Sequence, residues 1–126
     1  EYFTMPVERV YDGKGMDAKM LAAIEPFCIS YHGVSRANVN SGDKVLVVGA
    51  GTIGVLAAIA AKAKGATVYI SDVSEGKLKM AEEFGVDGTI LNDSPENFDK
   101  RVKELTDGNG FDVTIEAVGR LRSKIV

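Results

Sequence analysis

Gly49, Gly51 and Gly54 stand at the spacing G-x-G-x-x-G, directly behind the apolar run Val45-Leu46-Val47-Val48, and an acid, Asp72, follows about 20 residues on. Residues of these types in this order suit one task, the close approach of a backbone to a diphosphate. Gly49 permits a sharp turn, Gly51 removes the Cβ that a phosphate would strike, and Gly54 lets the following helix pack against the strand. Thr52 and Ile53 would open that helix, where N–H groups lack intrahelical acceptors and the helix dipole favours negative charge. With 14 glycines in the chain the spacing alone is weak, and the order strand, turn, helix, strand, acid strengthens it. Asp72 is placed to accept hydrogen bonds from adenosine ribose hydroxyls. A carboxylate there repels a 2′-phosphate, and Val73 and Ser74 supply no arginine to bind one, so NAD is expected over NADP. A turn or capping role for Asp72, with Ser74 as a rival cap, stays open beside the ribose role.

The elements that must position these residues are readable from hydrophobic period and turn chemistry. Strands are expected over 44–48, 67–71, 89–91 and 111–115. Between them the pattern predicts helices over 52–64 and 75–84, the latter closed by Gly85. A third helix is capped by Ser94 and begins with Pro95, and Phe98, Val102 and Leu105 share one of its faces. Asp107-Gly108-Asn109-Gly110 turns into the last strand. Strands separated by helices indicate parallel pairing with right-handed crossovers, hence an α/β, doubly wound, Rossmann-like sheet. A complete dinucleotide fold has about six strands, so the sheet is expected to be incomplete, its second half truncated and its last strand left with an open edge. Upstream, 1–11 reads as short extended pieces and 16–38 as helix interrupted near Pro26. The turn signal Ser41-Gly42-Asp43 marks the main boundary, between a connector over 1–40 and a partial dinucleotide-binding domain over 41–126.

Composition narrows the partners. A chain of 126 residues, 45% hydrophobic and 26% charged, can build one core. A net charge of −3 without a run of Lys or Arg argues against nucleic acid and anionic membrane surfaces. Small molecules are the expected partners. Cys28 is the single cysteine, so no internal disulfide forms and a cytoplasmic location is expected. The uncharged stretch over 45–61 is broken by glycines and reads as strand, turn and buried helix rather than a membrane span. A first residue other than methionine suggests an excised or processed product.

The segments Ala23-Ile24-Glu25-Pro26, Tyr31-His32-Gly33 and Ser41-Gly42-Asp43-Lys44-Val45, leading into the glycine turn, resemble the zinc-containing medium-chain dehydrogenases, the sorbitol and threonine dehydrogenase branch above all. The resemblance covers 1–119. It implies that Glu25 sits beside a catalytic zinc, as a ligand or through metal-bound water, in place of a cysteine used elsewhere in the family. It also implies that Lys77 reaches the adenosine ribose, that the backbone around Val118, within Glu116-Ala117-Val118-Gly119-Arg120, passes the nicotinamide, and that Arg120 lies near the adenosine end. Read without the resemblance, Glu25 is a surface glutamate before a proline and Lys77 a solvated helix charge. His32, the single histidine, and Cys28 are not assigned to metal.

A catalytic zinc takes three protein ligands, and this chain has no Cys/His/Glu cluster to supply them. No catalytic residue is therefore expected here, and the principal ligands should lie upstream. The resemblance implies a full-length oxidoreductase that moves a hydride between a secondary alcohol or polyol and NAD, with threonine also open as substrate. A homo-oligomer is expected for the full-length protein. The chain alone is expected to bind dinucleotide weakly or not at all and to show no turnover. Two other readings stand beside this one. A non-catalytic nucleotide-sensing module would begin at the glycine strand, without the segment 1–40. A zinc-independent NADPH quinone or enone reductase of the same superfamily is opposed by Glu25-Pro26 and Asp72.

Overall fold

The computed structural model describes residues 2–119. A 3-10 turn at Val7–Arg9 precedes helix α1 (Ala18–Arg36), and the chain then alternates through β1 (Lys44–Val48), α2 (Thr52–Ala63), β2 (Thr67–Asp72), α3 (Glu75–Glu82), β3 (Gly88–Leu91), α4 (Pro95–Thr106) and β4 (Val113–Glu116). The four strands form one parallel sheet in the order β3-β2-β1-β4. The first crossovers run to one side of β1 and the last returns to its other side, which is the α/β doubly wound arrangement expected from the alternating pattern.

Parallel strands covered on both faces read as continuous apolar runs, and β1 does so: Val45, Leu46 and Val47 are all buried. Val68 and Ile70 of β2 join them in the core, and against these lie Ala57, Ala58, Ala60 and Ala61 of α2. Four alanines on one short helix let its axis come close to the sheet. The strand ends away from the glycine turn are tied by charge. Lys44 donates its N–H to Asp112 Oδ2 at 2.7 Å and its Nζ to the Leu105 carbonyl at 3.0 Å. Asp87 accepts from Val68 N–H at 2.7 Å and from Lys62 Nζ at 2.9 Å.

Several boundaries differ from the sequence expectation. Helix α1 runs unbroken through Pro26. Proline removes one N–H from the ladder and deprives the carbonyl four residues back, that of Ala22; Ala22 is exposed, where solvent can satisfy it. Asp17 caps the helix by accepting from Met20 N–H at 2.9 Å. The 3-10 turn replaces part of the extended stretch expected over 1–11. Strand β2 reaches Asp72, one residue beyond expectation, and β4 occupies Val113–Glu116 rather than 111–115. Phe111 stays out of the ladder with its ring against Tyr69, centroids 5.6 Å apart. Helix α3 ends at Glu82, two residues before the expected Phe84, and Gly85, at φ 79°, follows in the turn beyond it. Arg120, expected near the adenosine end, and 121–126 lie outside the described residues.

The last turns of α1 bury Val34 completely in the core cluster that includes α2, while Met20, Leu21 and Ile24 near its start are exposed, as are Tyr2, Phe3 and Tyr11 before it. Among the described residues β4 pairs only with β1, so its other edge presents unpaired backbone groups. The isolated chain is therefore expected to self-associate as concentration rises, measured by light scattering across a dilution series. A monodisperse monomer with a sharp, high-temperature unfolding transition would contradict this.

Candidate functional site

The glycine turn closes at the C-terminal end of β1, the end at which open α/β sheets bind ligands. Gly49 has φ 106° and its N–H donates to the Ser71 carbonyl at 2.7 Å. A Cβ there would also come within 3.0 Å of the Ala117 backbone. Two constraints thus require glycine at 49. At Gly54, in the first turn of α2, a Cβ would collide with the Gly49 carbonyl oxygen.

Gly51 differs from both. Its φ of −78° and ψ of −177° suit any residue, and nothing lies within 4 Å of the place a Cβ would occupy. Neither conformation nor packing within the chain calls for glycine, so the open space fits a group that approaches the backbone from outside. No side chain caps α2 at this residue. The N–H groups of Thr52 and Ile53 in the first turn have no carbonyl four residues back within the helix, and the dipole adds partial positive charge.

Asp72 ends β2 beside this turn. Its Oδ2 accepts from Ala50 N–H at 2.8 Å and its Oδ1 from Ser74 N–H at 2.9 Å. Desolvation, the largest single influence, pushes the carboxyl up. The N–H groups of Ala50 and Ser74, the Lys77 ammonium and the Val73 N–H together outweigh it and hold the group below its ordinary value. Asp72 therefore has the turn-holding role that the sequence left open. Each carboxylate oxygen retains a second acceptor site, so ribose hydroxyls can still be received. Ser74 precedes α3 without a side-chain capping bond.

A cleft of about 330 Å³ is walled by Gly49, Gly51, Asp72, Val73, Ser74, Lys77, Ala117 and Val118. Of the residues singled out in the sequence, it gathers Gly49, Gly51, Asp72, Lys77 and Val118 into one wall, with Thr52, Ile53 and Gly54 following in α2. Val118 is half-exposed, and its N–H donates to Glu116 Oε1 at 2.6 Å. Glu25 stands exposed on α1 and is not part of this wall. Cys28 and His32 are exposed on the same helix.

The described residues contain no group of three His, Cys, Asp or Glu side chains that could hold a metal ion. The donor set does not by itself fit a zinc centre. Sequence reasoning missed two contacts, the Ala50 N–H that anchors Asp72 and a bond from Ser30 to the Ile53 carbonyl. The sequence carries no signal for either, because both join segments more than twenty residues apart.

A carboxyl whose folded pKa is lowered stabilises the fold above its unfolded pKa and loses that contribution as pH falls through the folded value. Asp72→Asn is thus expected to cost roughly 1 kcal/mol at neutral pH. The gap to wild type should close as pH drops below the ordinary carboxyl value of 3.8, followed by thermal denaturation across the acid range. A gap independent of pH would remove the ionised carboxylate from this role.

The likenesses to known proteins agree with this geometry. Residues 52–124, more than half of the chain, match the family model described as zinc-binding dehydrogenase. L-galactonate-5-dehydrogenase of Escherichia coli (strain K12) is 39% identical over 119 residues, 94% of this chain and 35% of that protein. Sorbitol dehydrogenase of Ovis aries is 46% identical over 101 residues, 78% of this chain and 28% of that protein. The apo form of zinc dependent alcohol dehydrogenase 2 from Streptococcus pneumonia superposes with a TM-score of 0.80 at 29% identity, over 87% of this chain and 32% of that one. The chain spans about a third of the length of these relatives. A glycine turn shaped for an outside group, set on a sheet and in a sequence shared with these enzymes, places the chain in the zinc-binding dehydrogenase family.

Proposed function

We propose that the full-length protein is an NAD-dependent dehydrogenase of secondary alcohols or polyols, and that 41–126 is the dinucleotide-binding part of it, joined through 1–40 to the catalytic part. The observation that carries this reading is Gly51, a glycine that the chain's own packing and backbone do not need, at the mouth of a helix without a side-chain cap. When bound, NAD supplies the acceptor for a hydride. The chain's own residues bind and orient it. The N–H groups of Thr52 and Ile53 receive the diphosphate at Gly51, with Gly49 and Gly54 holding the turn in shape. Asp72 receives the adenosine ribose and disfavours a 2′-phosphate, Lys77 supports the same sugar, and the backbone at Val118 borders the nicotinamide side.

Relatives named for sorbitol, L-galactonate and erythritol or L-threitol support a polyhydroxylated substrate. The same names favour an enzyme over a nucleotide-sensing module. Glu25 would stand beside the zinc of the full-length protein, as a ligand or through metal-bound water, with the other donors outside this chain.

Gly51→Ala in the full-length protein should raise the Kd for NAD at least about tenfold, because a Cβ enters the space of the phosphate, and should leave the melting temperature almost unchanged. Calorimetric titration reads both the affinity and its loss; an unaltered Kd takes the diphosphate away from this turn. Glu25→Ala should lower the zinc content of the purified full-length protein, measured by elemental analysis. A wild-type protein free of metal would favour the zinc-independent reductases instead.

A further inference from the structure

Ser30 lies in the second half of α1 and is 3% exposed. Its hydroxyl donates toward two carbonyl oxygens, that of Ile53 at 2.9 Å and that of Pro26 at 3.1 Å. The hydroxyl carries a single proton, so the two acceptors share it, and the shorter contact crosses from α1 to α2. A serine in a helix interior commonly bonds back to the carbonyl four residues earlier. The Ile53 contact is the one that such local habit does not explain.

The Ile53 carbonyl belongs to the same planar peptide unit as the Gly54 N–H. Gly54 is the third residue of α2, so this N–H is among the orphan donors at the helix start. A donor placed on the carbonyl end of a peptide fixes its orientation and strengthens its N–H as a donor, through the polarisation that runs along hydrogen-bonded chains. Gly54 itself is buried, so the hold of Ser30 on the Ile53 carbonyl acts on the phosphates through the neighbouring Thr52 and Ile53 N–H groups, whose direction it fixes. Burial makes the contact count, because the Ser30 oxygen meets little competing solvent.

We propose that Ser30 is a positioning residue for diphosphate binding, its buried hydroxyl holding the Ile53–Gly54 peptide so that the start of α2 meets the phosphates. The proposal rests on the reading that the glycine turn takes a dinucleotide. It separates Ser30 from an ordinary packing contact, because the effect must follow the phosphates of a ligand and not its adenosine.

The test uses the full-length protein and three ligands, NAD, ADP-ribose and adenosine, titrated by calorimetry or by NMR for the weakest. Ser30→Ala should weaken NAD and ADP-ribose by roughly three- to tenfold and leave adenosine unchanged, whereas Ser30→Thr, which keeps the hydroxyl, should recover most of the loss. Equal weakening of adenosine and ADP-ribose, or a lowered melting temperature with unaltered ADP-ribose affinity, would overturn the proposal. If Ser30→Ala does not fold, Ser30→Cys keeps the volume with a poorer donor, and the same phosphate-selective loss is expected of it; its absence counts against Ser30. A wild-type protein that binds neither NAD nor ADP-ribose sinks the dinucleotide reading and this proposal together. Wild-type binding with unchanged affinity in Ser30→Ala sinks the proposal alone.

Discussion

The backbone of α2 meets the end of β1 without a side chain between them: at Gly54 even a single methyl would strike the Gly49 carbonyl oxygen. That contact fixes how the helix leaves the strand. Because α2 is pinned there, its first turn lies at the C-terminal end of the sheet, beside the last residues of β2 and the segment after β4. Small residues continue along the helix, where Ala57, Ala58, Ala60 and Ala61 are buried in the core that α2 shares with β1, β2 and α1. Gly49 supports it from the other side, with a positive φ and a backbone so close to Ala117 that a Cβ would be crowded there. The cleft is what this closeness leaves open.

Asp72 turns the geometry into electrostatics. Its carboxylate ties the turn to β2 through Ala50 and ties the start of the next loop through Ser74. Those N–H groups, with Lys77 nearby, favour its ionised form and hold its carboxyl below the ordinary value. A fixed negative charge thus sits beside a helix end that carries partial positive charge. Such a pair suits the proposed dinucleotide, whose phosphates would meet the turn and whose sugar would meet the carboxylate. The ribose role proposed for Asp72 would use acceptor sites that its bonds to Ala50 and Ser74 leave free, so one does not exclude the other.

The carboxylate ties at the starts of the strands and the cleft at the glycine turn lie at opposite ends of the sheet. Lys44 with Asp112, and Lys62 with Asp87, tie loops at the far end, where each aspartate accepts a strand N–H that would otherwise lack a partner. At the cleft end, Asp72 and Glu116 accept backbone N–H groups, and the start of α2 is left without a side-chain cap. Helix α1 spans two environments. Ser30 and Val34 are buried, whereas the preceding turns, with Glu25, are exposed.

Much of this architecture was legible in the sequence because it arises from local chemistry. Apolar period, the Ser94–Pro95 start of α4, the left-handed glycine after α3 and the glycine spacing each act within a few residues, and each element appears where these signals put it. Ends were less legible: Pro26 does not break α1, and β4 begins at Val113, with Phe111 packed on Tyr69 outside the ladder. The sequence by itself determined the kind of elements, their order and the glycine turn, all matters of conformational preference and hydrophobic period. Only the tertiary structure decided which groups meet: Ala50 with Asp72, Ser30 with Ile53, and a space at Gly51 that the chain leaves empty. Such meetings depend on where separately formed elements come to rest, and no spacing along one segment encodes a distance between two.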